Sequence, residues 1–115
     1  MLTPNANMKI FLCTGYTDMR KGVNSLSILA ASLLGLELNS AIFVFRGKRA
    51  DRLKILWWDG QGFCLFYKCM DSGKFVWPKL DEMASLGITK AQLSMLIEGI
   101  DWRNPHWSEA PKYGG

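Results

Sequence analysis

The sequence predicts an α+β fold: a four- to five-stranded, mainly antiparallel meander with two or three helices packed on its apolar side. Three observations predict it. Four short β-like runs follow one another between residues 41 and 77, separated by "GKRA", "DGQG" and "DS", which are turn residues suited to hairpins. A stretch before them repeats apolar residues at three- and four-residue spacing, the helical period. A stretch after them opens on a capping box. With 115 residues, 49% of them hydrophobic, the chain can bury one sizeable core and reads as a single domain.

Residues 1–8, with Pro4 and two asparagines, read as a flexible leader before a domain over 9–103. "KIFLCT" (9–14) is a β-friendly apolar run, and Gly15 to Thr17 turn the chain. From Asp18 onward Val23, Leu26, Leu29, Ala30, Leu33 and Leu34 fall on one helical face, with Thr17 or Asp18 as cap and Gly35 and Asn39 marking the end. The four β-like runs are "AIFVFR" (41–46), "DRLKILWW" (51–58), "GFCLFYKC" (62–69) and "GKFVW" (73–77). In the second, alternation puts Leu53, Ile55 and Trp57 on one face and Arg52, Lys54, Leu56 and Trp58 on the other. Trp57 is thereby assigned to the core, and Trp58 is left open.

Pro78 closes the meander, because proline interrupts a ladder. "KLDEMASLG" (79–87) is ambiguous, with a helical turn as one reading. "TKAQLSMLIEG" (89–99) begins with the Thr-x-x-Gln box, carries Ala91, Leu93, Leu96 and Ile97, and can stop at Gly99. Residues 104–115, with Pro105, Pro111 and a Gly-Gly end, read as a flexible tail.

Charge is distributed unevenly. Residues 46–79 hold eight cations against three aspartates, while the rest of the chain holds six cations against seven carboxylates, so the whole excess sits in the meander. Nine of the fourteen aromatic residues lie there too. Interleaved cations and flat rings are one footprint of nucleic-acid binding, since cations neutralise phosphates and rings stack on bases. The same pattern also suits the solvated face of a small sheet. Arg20 and Lys21, near a helix start, oppose the helix dipole and so do not serve local stability, whereas a helix start also welcomes phosphate.

Catalytic chemistry finds no foothold, and no catalytic residue is expected. There is no phosphate loop of the GxxxxGK[ST] type, no GxSxG elbow and no pair of histidines to hold a metal. His106 stands alone in the tail. Asp18, Asp51, Asp59 and Asp101 occupy turn and capping positions rather than converging as two-metal chemistry requires. Cys13, Cys64 and Cys69 lack CxxC spacing and read as free, largely buried thiols of a reducing cytosol. No metal site and no cofactor are expected. The start lacks a secretory pattern and "ILAASLLGLEL" is too short to span a bilayer, which points to a cytoplasmic protein with no membrane partner.

"TDMRKG" (17–22), "FVFRGKRADRLKILWWDGQGF" (43–63), "LFYK" (65–68), "GKFVWP" (73–78) and "AQLSMLIEGIDW" (91–102) together resemble the TnpB accessory proteins encoded by the second reading frame of insertion-sequence 66 elements. This family looks unrelated to the RNA-guided nucleases that share the label TnpB. The similarity spans about residues 10 to 105. It implies a non-enzymatic accessory factor for DNA transposition, encoded beside a much larger transposase, with no agreed catalytic residues to carry over.

Two partners stay open at this point: DNA, or the element-encoded transposase or another accessory subunit. A homo-oligomer is compatible with either. The residues expected to meet DNA are Arg20, Lys21, Arg46, Lys48, Arg49, Arg52, Lys54, Trp58 and Lys68. Two departures from the family pattern stand out. Ala50 occupies a position where the family often has glycine, and Cys69 one where it often has a basic residue.

Overall fold

The computed structural model describes residues 8–34, 38–78 and 85–103. The expected leader other than Met8, the helix end at Gly35, residues 79–84 and the tail from 104 lie outside them. The α+β class holds. Five strands, β1 (Lys9–Tyr16), β2 (Ala41–Arg46), β3 (Arg52–Trp58), β4 (Phe63–Cys69) and β5 (Ser85–Ile88), form one sheet in the order β4-β3-β2-β1-β5. Two α-helices, α1 (Val23–Leu34) and α2 (Lys90–Ile97), and a 3-10 turn at Leu38–Ser40 complete the described elements.

The β2-β3-β4 meander is antiparallel, with Phe43 opposite Leu56 and Lys54 opposite Tyr67. β1 and β2 run parallel instead, with Phe11 beside Phe43. Parallel neighbours need a crossover, and α1 supplies it. On its other side β1 pairs antiparallel with β5, so the sheet is mixed.

Apolar side chains line both faces, and this is where the layering departs from a single apolar side. One face buries Cys13, Ala41, Phe43, Phe45 and Leu56 with Leu26 and Ala30 of α1. The other buries Ile10, Leu12, Ile42, Val44, Leu53, Ile55 and Trp57 with Phe75, Trp77, Leu96 of α2 and Trp102. β2 is buried at all six positions, as a strand covered on both faces must be. Trp57 is in the core as expected, only 3% exposed.

The run at 73–77 is not a strand. It crosses the second face as irregular chain, with Phe75 and Trp77 turned into the core. The Phe75 N–H and the Trp77 indole N–H both donate to the Ala50 carbonyl, at 2.9 and 3.1 Å. That anchor replaces a ladder. Ala50 sits in the left-handed region at φ 66, a conformation that favours glycine.

α1 begins later than expected, at Val23. The Asp18 carboxylate turns back on Arg20, and the Gly22 carbonyl accepts the first helical bond from Leu26. β5 was hidden in the ambiguous stretch, being four residues long. The Thr89 capping box is present in full: the Gln92 N–H donates to Thr89 Oγ1 at 3.1 Å and the Thr89 N–H to Gln92 Oε1 at 2.9 Å. Gly99, at φ 79, follows the helix end. Thr89→Ala is expected to cost about 1 kcal/mol, read as a lowered urea midpoint at unchanged m-value.

Candidate functional site

Two loops that are distant in sequence meet at one end of the sheet. The first follows β1 and carries Thr17 to Gly22; the second is the β2–β3 hairpin, Gly47 to Asp51. The Thr17 N–H donates to the Arg46 carbonyl at 2.9 Å, which extends β1 alongside β2. Gly47 lies under Met19, so close that a Cβ there would stand 2.9 Å from Met19 Cγ. A third tie comes from β3, where Lys54 Nζ donates to the Lys21 carbonyl at 2.7 Å. Between the loops lies a cleft of about 280 Å³ lined by Thr17, Asp18, Met19, Gly47, Lys48, Arg49, Asp51 and Arg52.

The cleft and its rim are cationic. Lys48, Arg49 and Arg52 come from the hairpin side and Arg20 and Lys21 from the other loop, all exposed, and two carboxylates stand among them. Asp18 takes a forked contact from Arg20, with Nε to Oδ1 at 3.0 Å and Nη2 to Oδ2 at 2.8 Å. Those hydrogen bonds hold the Asp18 carboxyl down at about 2. The favourable pairing is therefore complete above the ordinary value of 3.8 and fades as pH falls through about 2. Asp51 is shared by Arg49 at 3.6 Å and Arg52 at 4.0 Å. Both contacts to the half-buried Asp51 are long and the guanidinium groups themselves are exposed, so the pairing is weak and these groups can exchange partner for an incoming anion. α1 starts beside this end with no acidic residue in its first turn, and its dipole adds positive potential.

The nine residues singled out from the sequence do not all gather here. Lys48, Arg49 and Arg52 line the cleft, and Arg20, paired with the lining residue Asp18, and Lys21 follow on the facing loop. Lys54 lies on the same face as Arg52 but is only 6% exposed, committed to the Lys21 carbonyl and to the Tyr67 ring, 4.6 Å from its ammonium. Trp58 also shares that face, yet stands at the far end of β3, about 20 Å from Arg52 at the usual rise of a strand. It packs edge-on against Phe63.

Arg46 and Lys68 point to the opposite face. Arg46 is 8% exposed, its guanidinium between the Tyr16 and Trp77 rings at 4.9 and 5.0 Å. Burial pushes its pKa down, and the two ring faces compensate its charge. Lys68 Nζ donates to the Ile97 carbonyl at 2.7 Å, capping the C-terminal end of α2. Both therefore serve packing. Sequence reasoning passed over Tyr67, 44% exposed, whose hydroxyl accepts from Arg52 Nη1 at 3.2 Å. Its place opposite Lys54 follows from the β3–β4 register, which the sequence alone does not show.

The thiols are not largely buried as expected: Cys13 is buried, Cys64 half-buried and Cys69 exposed on β4, the edge strand of the described sheet. Burial drives Cys13 up to about 12, leaving it inert, and Cys64 lies against Asp59. Among the described residues no group of three or more His, Cys, Asp or Glu side chains could hold a metal ion, and no helix is long and apolar enough to cross a membrane.

Fold and site define a small α+β protein whose most concentrated chemical feature, among the described residues, is a cationic cleft between two loops. The chain belongs to the family described as IS66 Orf2-like proteins, which it matches over residues 8–107, and its role is an accessory one in transposition. It is similar to Uncharacterized protein y4hO of Sinorhizobium fredii (strain NBRC 101917 / NGR234), with 46% identity over 112 residues covering 96% of each chain. It is also similar to Uncharacterized protein y4jC of the same strain, with 38% identity over 103 residues, 89% of this chain and 87% of that one. No solved structure matches it.

Proposed function

We propose that this chain is a non-enzymatic transposition factor that holds DNA by its phosphates in the cleft between the Thr17–Gly22 loop and the β2–β3 hairpin. One observation carries the reading: Lys48, Arg49 and Arg52 line one cleft together with Asp18 and Asp51, and Arg20 on the facing loop reaches it through Asp18. Phosphate contacts of this kind position DNA without reading sequence. Affinity then depends on salt, because each neutralised phosphate releases counterions.

Arg49→Ala and Arg52→Ala are each expected to flatten the slope of log affinity against log salt by about one unit, equally on all sequences. Fluorescence anisotropy across a salt series checks this. Slopes left unchanged by both substitutions would remove the cleft from consideration.

A second reading, docking onto the transposase, draws support from β4. It is the outermost strand on its side of the described sheet, and Phe63, Leu65 and Phe66 on it are half-buried. An edge of this kind can pair with a strand from a partner. A gel shift with and without purified transposase separates the two. If DNA is ignored at low salt while transposase is bound, the docking reading replaces the phosphate one.

A further inference from the structure

Tyr67 is the one large exposed ring tied directly into the cleft's cations among the described residues. Its hydroxyl is held by Arg52, which lines the cleft. One side of its ring faces the Lys54 ammonium, itself nearly buried and bonded to the Lys21 carbonyl. The ring is thus fixed from two directions, and 44% of the residue faces solvent. A burial-driven role accounts poorly for an aromatic that is held so firmly and covered so little. Trp58, by contrast, spends its ring on Phe63 at the other end of the strand.

An aromatic side chain fixed beside a phosphate-binding groove is the arrangement that holds single strands, since any unpaired base presents a face on which a ring can stack. A duplex hides those faces within its own base stack. From this juxtaposition we infer that Tyr67 is a stacking platform for an unpaired base, and that the cleft's preferred ligand is single-stranded or locally opened DNA. Lys54 contributes from beneath by polarising the ring's inner face and locking its rotamer. Arg52 has two tasks, orienting Tyr67 through its hydroxyl and meeting the neighbouring phosphate. The inference rests on the phosphate reading above and goes further by naming which form of DNA the site takes.

The test compares three fluorescently labelled ligands of equal length at low salt: an oligothymidine strand, a duplex, and an abasic strand that keeps the phosphates and lacks the bases. Tyr67→Ala and Tyr67→Leu are expected to weaken oligothymidine binding roughly 5- to 150-fold, the usual worth of one stacked base. Duplex and abasic-strand binding should stay unchanged. Tyr67→Phe, which keeps the ring, should retain most of the oligothymidine affinity, and the leucine variant guards against a general packing defect. If wild type binds the abasic strand or the duplex as tightly as oligothymidine and Tyr67→Ala changes nothing, the platform is overturned and the phosphate reading stands. If wild type binds none of the three, both fall.

Discussion

Phe43→Ala is expected to remove about 3–5 kcal/mol of stability, the cost of emptying a well-packed aromatic site. Phe43 is 1% exposed on the central strand β2. It packs in one cluster with Leu26 and Ala30 of α1, Phe45 and Leu56, and its ring lies 6.3 Å from that of Phe11. Strands lie on both sides of β2 and α1 covers this face, so the backbone around the space cannot collapse into it. Against a total of about 5–15 kcal/mol for ordinary domains, the loss takes a third or more of the margin. Urea unfolding should show a lower midpoint with the m-value retained. Ile28→Ala is the contrast: on the same α1 helix but 71% exposed, it should change stability by less than about 0.5 kcal/mol. Losing less than about 1.5 kcal/mol at Phe43 would mean that the cluster it shares with Leu26 and Ala30 of α1 is not packed as described.

The largest effect on binding is expected from the pair Lys48→Glu and Arg49→Glu. Each lost phosphate contact lowers affinity roughly eightfold at about 0.1 M salt, and reversing both charges adds repulsion, so DNA binding should fall about 100-fold or more. Arg46→Met separates location from total charge. It also removes a cation, but one enclosed by Tyr16 and Trp77. It should reduce stability and leave the salt slope intact. Equal loss of binding from Arg46→Met and from Arg49→Ala would mean that overall charge, and not the cleft, governs the interaction.

Much of the fold was legible because its signals are local. The Thr89–Gln92 box, the spacing of Leu26 and Ala30, and the turn residues between β2, β3 and β4 each act within a few residues, so order along the chain suffices to read them. "GKFVW" misled because its alternation matches a strand, while its partners are the Ala50 carbonyl, presented by a left-handed residue in another turn, and the Trp102 and Arg103 side chains. β5 escaped because four residues carry too little pattern. Its pairing with β1 joins positions more than seventy apart.

The candidate site was legible in composition and not in membership. Basic residues in the meander are equally available to phosphate, to a ring face or to a helix end until the register is known. Arg46, Lys54 and Lys68 were drawn inward because a ring pair, a loop carbonyl and the end of α2 lay within reach of their side chains. Tyr67 was overlooked because nothing in "LFYK" separates a core tyrosine from an exposed one.

Sequence by itself determined the class of fold, the capping of α2, the assignment of Trp57 to the core and the place of the excess charge, since periodicity, turn chemistry and composition act over short range. Only the tertiary structure decided which cations share a surface. That depends on the parallel pairing of β1 with β2, which carries Arg20 and Lys21 to the side of Lys48, Arg49 and Arg52, and a contact across some thirty residues leaves no local trace.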